Sequence, residues 1–193
     1  MRGLIAILPM LAAGIAGAGP VEGDTMTEEI LRPDDVAWRI VNDGVMGGLS
    51  SSRITRTDRG TWIFAGDLSL ENNGGFASVR CDLARRDLSD YAGLALRVRG
   101  DGRAYRLRLR TNDRFDGVAY QAGFTTIEAE WTNVRIPFAD FAPSYRGRAA
   151  PEAGPLDTAE ICQLGLMIAD GEQAGFSLEV MWIRALRNAA DEG

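Results

Sequence analysis

Period-two alternation of apolar and polar residues runs through most of the chain, clearest at Leu94, Leu96 and Val98 and again at Tyr105, Leu107 and Leu109. Successive side chains of a strand point to opposite faces, so this spacing gathers the apolar residues on one side. Arg97, Arg99, Arg106, Arg108 and Arg110 fall on the other. Gly100-Asp101-Gly102 supplies turn residues between the two runs, and the segment predicts a β-hairpin with five guanidinium groups on two neighbouring strands. A second hairpin is predicted from strands over 50–57 and 61–70, closed by Asp58-Arg59-Gly60. Over 76–83, Ala77, Val79, Cys81 and Leu83 alternate with Ser78, Arg80 and Asp82. Further strands are expected over 36–41, 117–124, 126–137, 161–169 and 176–186, with Trp62, Tyr105 and Trp182 facing inward. Residues 138–141 suit a helical turn, and 142–155, with Pro143, Pro151 and Pro155, a long loop.

Nine or ten short strands with one polar face each, and no long amphipathic helix, predict an all-β fold: two antiparallel sheets packed as a jelly-roll sandwich over residues 35–187. Residues 188–193 read as a frayed tail and 19–34 as a flexible segment. Residues 1–18 have the layout of a secretory signal: one Arg2, an apolar run, then Ala16-Gly17-Ala18. Export to a periplasm-like compartment follows from that reading, and the alternative is a cytoplasmic chain starting at Met26. Once a signal is removed, no apolar run long enough to span a bilayer remains.

Composition narrows the chemistry. There is no His, and all 21 cationic side chains are Arg. Nucleophile pairs and metal sites built on imidazole are excluded, as are Schiff bases and P-loop lysines. Carboxylate chemistry survives, since a glycosidase needs only two Asp or Glu residues, and a carboxylate-dependent hydrolase stays as a minor alternative. A net charge of -6 argues against nucleic acid. Yet residues 80–114 hold ten Arg against five Asp, a basic stretch in an acidic protein. Cys81 and Cys162 are too few and too far apart for a zinc cluster, although a disulfide is open to an exported chain.

The candidate contact residues fall into four groups. Asn42, Asp43, Gly44, Met46, Gly47 and Gly48 form a glycine-rich loop whose N–H groups suit an anion-binding nest, with Asp43 offering a carboxylate to a cation or ligand hydroxyl. Asn73, Gly74 and Gly75 form a second such turn, which would share one surface with the first if the two lie side by side. Arg80, Arg106 and Arg108 can grip carboxylates or phosphates through forked hydrogen bonds, or else form a solvated face paired with Glu128, Glu130 or Glu179. Tyr145, Arg146 and Arg148, in the proline-rich loop, are the place for a sugar, with Trp131 as a further platform.

The run Trp38-Arg39-Ile40-Val41-Asn42-Asp43-Gly44-Val45-Met46-Gly47-Gly48-Leu49-Ser50 resembles the complex I intermediate-associated protein 30 family. So do Glu71-Asn72-Asn73-Gly74-Gly75-Phe76-Ala77-Ser78-Val79-Arg80, Tyr145-Arg146-Gly147-Arg148 and Leu164-Gly165-Leu166-Met167-Ile168-Ala169-Asp170, in the family's order. The resemblance implies a galactose-binding-domain-like sandwich, a shape shared with carbohydrate-binding modules. It also implies a chaperone-like role in complex I assembly, hence a protein partner such as a respiratory-complex subunit, with a glycan as the alternative. Some relatives carry a nucleotide-binding unit, but this chain has no G-x-G-x-x-G, so no cofactor is expected. The resemblance carries over no catalytic residue, and the expectation is a binding module and not an enzyme. An exported chain would lie across the membrane from the arm such chaperones serve, so export would require a different partner.

Overall fold

The computed structural model describes residues 28–31 and 37–187. Its strands are β1 (Glu28–Leu31), β2 (Trp38–Ile40), β3 (Ser51–Arg56), β4 (Trp62–Asp67), β5 (Ala77–Arg86), β6 (Tyr91–Arg99) and β7 (Ala104–Arg110). They continue with β8 (Ala119–Thr125), β9 (Trp131–Pro137), β10 (Ala142–Tyr145), β11 (Arg148–Ala149), β12 (Ile161–Ile168) and β13 (Gly175–Arg187). Two antiparallel sheets face each other. One has the order β3-β4-β13-β6-β9, with β1 added beside the second half of β13. The other has seven strands in the order β11-β10-β8-β7-β12-β5-β2. The two-sheet sandwich follows from the alternation: Phe64, Leu94, Leu96, Leu107, Leu109, Leu164 and Leu166 all meet in one core at 1% exposure or less.

Four expectations are corrected. The first concerns the arginine hairpin. β6 and β7 do not pair; the turn Gly100-Asp101-Gly102 carries the chain from one sheet to the other. An apolar inner face is required on either sheet, so unbroken alternation cannot distinguish a return from a crossing. The five arginines are therefore divided: Arg97 and Arg99 lie outside one sheet, Arg106, Arg108 and Arg110 outside the other.

The crossing is stapled by Arg103, which is 9% exposed. Its guanidinium donates to both oxygens of Asp170 at 2.8 and 2.7 Å, and to the carbonyls of Glu172, Ala174 and Gly175. Asp170, Glu172 and Ala174 belong to the connection between β12 and β13 and Gly175 opens β13, so one side chain ties the β6–β7 crossing to the β12–β13 crossing.

The second correction is Trp182. A bulge between Val180 and Trp182 changes the parity of β13, turning the indole outward beneath the Arg184 guanidinium, 4.5 Å from the ring centroid. Trp62 and Tyr105 do pack inward. Third, the loop expected over 142–155 contains the hairpin β10-β11, turned by Arg146 and Gly147 at positive φ. Fourth, the segment expected to be flexible over 19–34 supplies β1. The leader expectation at 1–18 and the tail at 188–193 lie outside the described residues. No disulfide joins Cys81 to Cys162.

Candidate functional site

The two glycine-rich loops do lie side by side, and the reason is Asp43. Its carboxylate has no exposed surface. It accepts from Ser50 N at 3.0 Å, Ser50 Oγ at 2.5 Å, Gly75 N at 2.8 Å and Phe76 N at 3.3 Å. Burial alone would raise its pKa, but the bonds from Ser50, Gly75 and Phe76 outweigh that and hold it below the usual carboxylate range. Glycine is needed around it: a Cβ on Gly48 would lie 2.4 Å from Asp43 Cγ, and one on Gly74 would lie 2.8 Å from Oδ2. Asn42 is used in the same way, accepting from Ser52 Oγ and Ser78 N. Asp43 is thus no ligand for an outside cation or hydroxyl. The loop is a knot holding the start of β3 to the start of β5, and it leaves Val45 and Met46 projecting at 65% and 60% exposure.

Those two residues overhang a groove of about 510 Å³ on the outer side of the seven-stranded sheet. Its walls are Val45 and Met46, the loop with Phe115 and Asp116, and Arg146 and Gly147 of the β10-β11 turn. The walls hide much of a face that would otherwise be solvated: Arg80 is 8% exposed, Met167 7% and Gln163 3%.

Register fixes the floor. Arg80, Gly165, Arg108 and Gln121 face one another on β5, β12, β7 and β8. Met167 lies beside Arg106 in the next row and Gln163 beside Arg110 in the row on the other side. Successive rows are about 7 Å apart and neighbouring strands about 4.8 Å.

Charge in the groove is one-sided. Among the described residues, Arg80, Arg106, Arg108, Arg110 and Arg146 line it against a single carboxylate, Asp116, which Arg146 engages. Phe115 covers the Arg80 guanidinium at 4.4 Å and its carbonyl accepts from Nη1. Arg110 donates to the Gly117 carbonyl at 2.6 Å. Arg80 Nε, Arg108 Nε and Gln163 Oε1 are buried with no hydrogen-bond partner among the described residues. Burial, followed by repulsion from Arg110, Arg80 and Arg106, pushes the Arg108 guanidinium down to about 10. A buried cation without an anion is costly, and here several crowd together.

Of the residues singled out from sequence, Met46, Arg80, Arg106, Arg108 and Arg146 converge on the groove. Asn42 and Asp43 form the knot beside it, with Gly48, Gly74 and Gly75 packed around the carboxylate. Gly44, Gly47 and Asn73 shape the adjoining turns. Tyr145 and Arg148 sit on the β10-β11 hairpin beside the groove and are not among its lining residues. Trp131 is on the opposite sheet, stacked by Arg99, so it shares no platform with Tyr145. Of the acids offered as partners for the arginines, Glu179 binds Arg99 at 2.5 Å on that opposite sheet. Sequence reasoning missed Phe115, Asp116, Gln163 and Gly165. Alternation had already put Arg110 on the right face.

The two-sheet sandwich is similar in shape to solved carbohydrate-binding modules. Two family 11 modules from Clostridium thermocellum superpose with TM-scores of 0.62 and 0.65 at 18% and 16% identity. The matches cover 84% and 89% of this chain and 97% and 100% of those modules, and one was solved with a β-1,3-1,4-mixed-linked tetrasaccharide. Identity this low establishes the shape alone.

The chain belongs to the complex I intermediate-associated protein 30 family, whose model matches residues 29–180. The Drosophila melanogaster and Mus musculus proteins of that name, both designated mitochondrial, are 25% and 28% identical over 76% and 79% of this chain. The matches span 57% and 53% of those proteins' lengths. An uncharacterized Schizosaccharomyces pombe protein is 29% identical, with 77% of each chain covered. Among the described residues no helix is long and apolar enough to cross a membrane.

Proposed function

We propose that this chain is a non-catalytic assembly module that holds a protein partner, a respiratory-complex subunit, in the groove on the seven-stranded sheet. The observation that carries the reading is the groove itself: among the described residues, five arginines, one carboxylate, and the buried Arg80 Nε, Arg108 Nε and Gln163 Oε1 left without partners. The names of the relatives support a complex I partner. The exposed Val45 and Met46 on one wall add apolar contact of the kind found at protein interfaces. The test is affinity purification from the native cell with the wild-type chain and with an Arg106→Glu, Arg108→Glu double variant. Respiratory-complex subunits are expected with the first and absent with the second; undiminished capture by the double variant would overturn the proposal.

The likeness to carbohydrate-binding modules favours a glycan as the second reading. Sugar rings are bound by stacking on flat aromatic faces; among the described residues no Trp or Tyr lines the groove, and Phe115, which does, has one face against the Arg80 guanidinium. A glycan array separates the two readings, with retention by the wild type and loss on changing Tyr145 favouring the sugar. Hydrolysis by paired carboxylates has less support still, because among the described residues Asp116 is the only acid lining the groove and hydrogen bonding to Arg146 keeps its pKa low, unsuited to a general acid. The names of the relatives lend no support to export.

A further inference from the structure

The groove floor has a notch. Gly165 stands between Arg80 on β5 and Arg108 on β7 in a single register row, with no side chain of its own. Across two strand spacings the arginine backbones are roughly 10 Å apart, a gap two guanidinium groups can close around one small anion. A Cβ on Gly165 would come within 2.9 Å of the Val79 carbonyl and 3.4 Å of Arg80 Cβ, which would crowd the notch. Arg80 is more than nine-tenths buried and held from one side by Phe115, while its Nε has no partner. Arg108 Nε is likewise unpaired, and no ion pair or hydrogen bond engages Arg108 among the described residues.

We infer that the notch above Gly165 is an oxyanion site formed by Arg80 and Arg108, and that it takes a side-chain carboxylate from an extended acidic segment of a partner protein. The inference rests on the reading that a protein partner occupies this groove. Arginine forks match carboxylate geometry bidentately, which suits two groups meeting over one notch. Arg106 and Arg110 lie one row to either side, about 7 Å along β7. Acidic residues at alternate positions of an extended chain recur at that same spacing. Peptide is favoured over acidic polysaccharide because one wall carries the exposed aliphatic Val45 and Met46, while among the described residues no Trp or Tyr lines the groove and Phe115 has one face against the Arg80 guanidinium.

The probe is a hexaglutamate peptide, titrated into the whole chain at low and moderate salt, with hexaglutamine and an oligogalacturonate as controls. Hexaglutamate is expected to bind, more weakly as salt rises, and hexaglutamine not to bind. Arg80→Met and Arg108→Met are expected to weaken binding roughly tenfold to a hundredfold, the loss of one or two charge-assisted bonds. Arg97→Met, on the other sheet, should bind as the wild type does. Arg108→Met should also melt no lower than wild type, since it removes an unpaired cation; a merely structural arginine would lower the melting point. Equal binding by Arg108→Met and wild type overturns the site. So does oligogalacturonate binding tighter than hexaglutamate, which would assign the groove to a glycan. If the double variant loses its partner in the native purification while hexaglutamate is not bound, the carboxylate site fails and the groove as partner site stands. If the double variant keeps its partner, the groove reading itself fails.

Discussion

Asp43→Asn changes a single oxygen to an amide nitrogen, and the structure states what that does. Oδ2 accepts three bonds, from Ser50 Oγ, Gly75 N and Phe76 N, and Oδ1 accepts one, from Ser50 N. The amide oxygen will keep the richer side, so the new NH₂ must face the Ser50 N–H. One buried donor is then left without an acceptor, costing roughly 1–3 kcal/mol. The three remaining bonds lose their charge and with it about half their strength, roughly 1 kcal/mol each. An amide is cheaper to bury than a carboxylate, which offsets part of this and brings the net loss to about 3 kcal/mol. For a domain of this size the melting temperature should fall by roughly 6–12 °C.

Urea unfolding by tryptophan fluorescence measures the loss directly, with an unchanged slope expected if only stability has moved. The pH dependence carries the same signature. Because the folded pKa of Asp43 lies below its unfolded value, its stabilisation is full above about pH 4 and is lost as pH falls through the folded value. Asp43→Asn should therefore flatten the acid limb of the stability profile. A variant within 1 kcal/mol of wild type with an unaltered acid limb would refute the knot as the reason the two loops adjoin.

Other outcomes follow from the same geometry. Arg103→Lys keeps the charge but cannot reach Asp170 and three carbonyls together, and should cost about 3 kcal/mol in urea unfolding. Met46→Asp, at a position 60% exposed, should leave stability within about 0.5 kcal/mol of wild type yet weaken capture of the partner in a pull-down. Burial pushes the Cys81 thiol up to about 12, so a thiol reagent at pH 8 should leave it unmodified until the chain is unfolded, as peptide mass mapping would show.

The two-sheet sandwich was legible because alternation reports which side of a strand meets a core. Arg106, Arg108 and Arg110 were placed on one outer face for the same reason. What alternation does not report is which sheet a strand joins, and Arg97 and Arg99 were consequently grouped with them. Trp182 was misplaced because one extra residue at Met181 reverses the parity of β13 and leaves no mark in composition. The glycine-rich loop was visible, but its role was not: Asp43 reads as an exposed loop carboxylate until the donors of Ser50, Gly75 and Phe76 are brought to it. Gly165 was invisible as a site component, since a lone glycine in an apolar run says nothing about the arginines on the strands either side. Their convergence is a product of register, and register is long-range.

Photo-crosslinking in the native cell reads out what occupies the groove, with the crosslinking residue placed at Gln121 on the groove floor or at Arg97 on the other sheet. A protein adduct is expected from position 121, mapping to an acid-rich segment of a respiratory-complex subunit, and none from position 97. An adduct from position 97 with none from position 121 would contradict the groove as partner site.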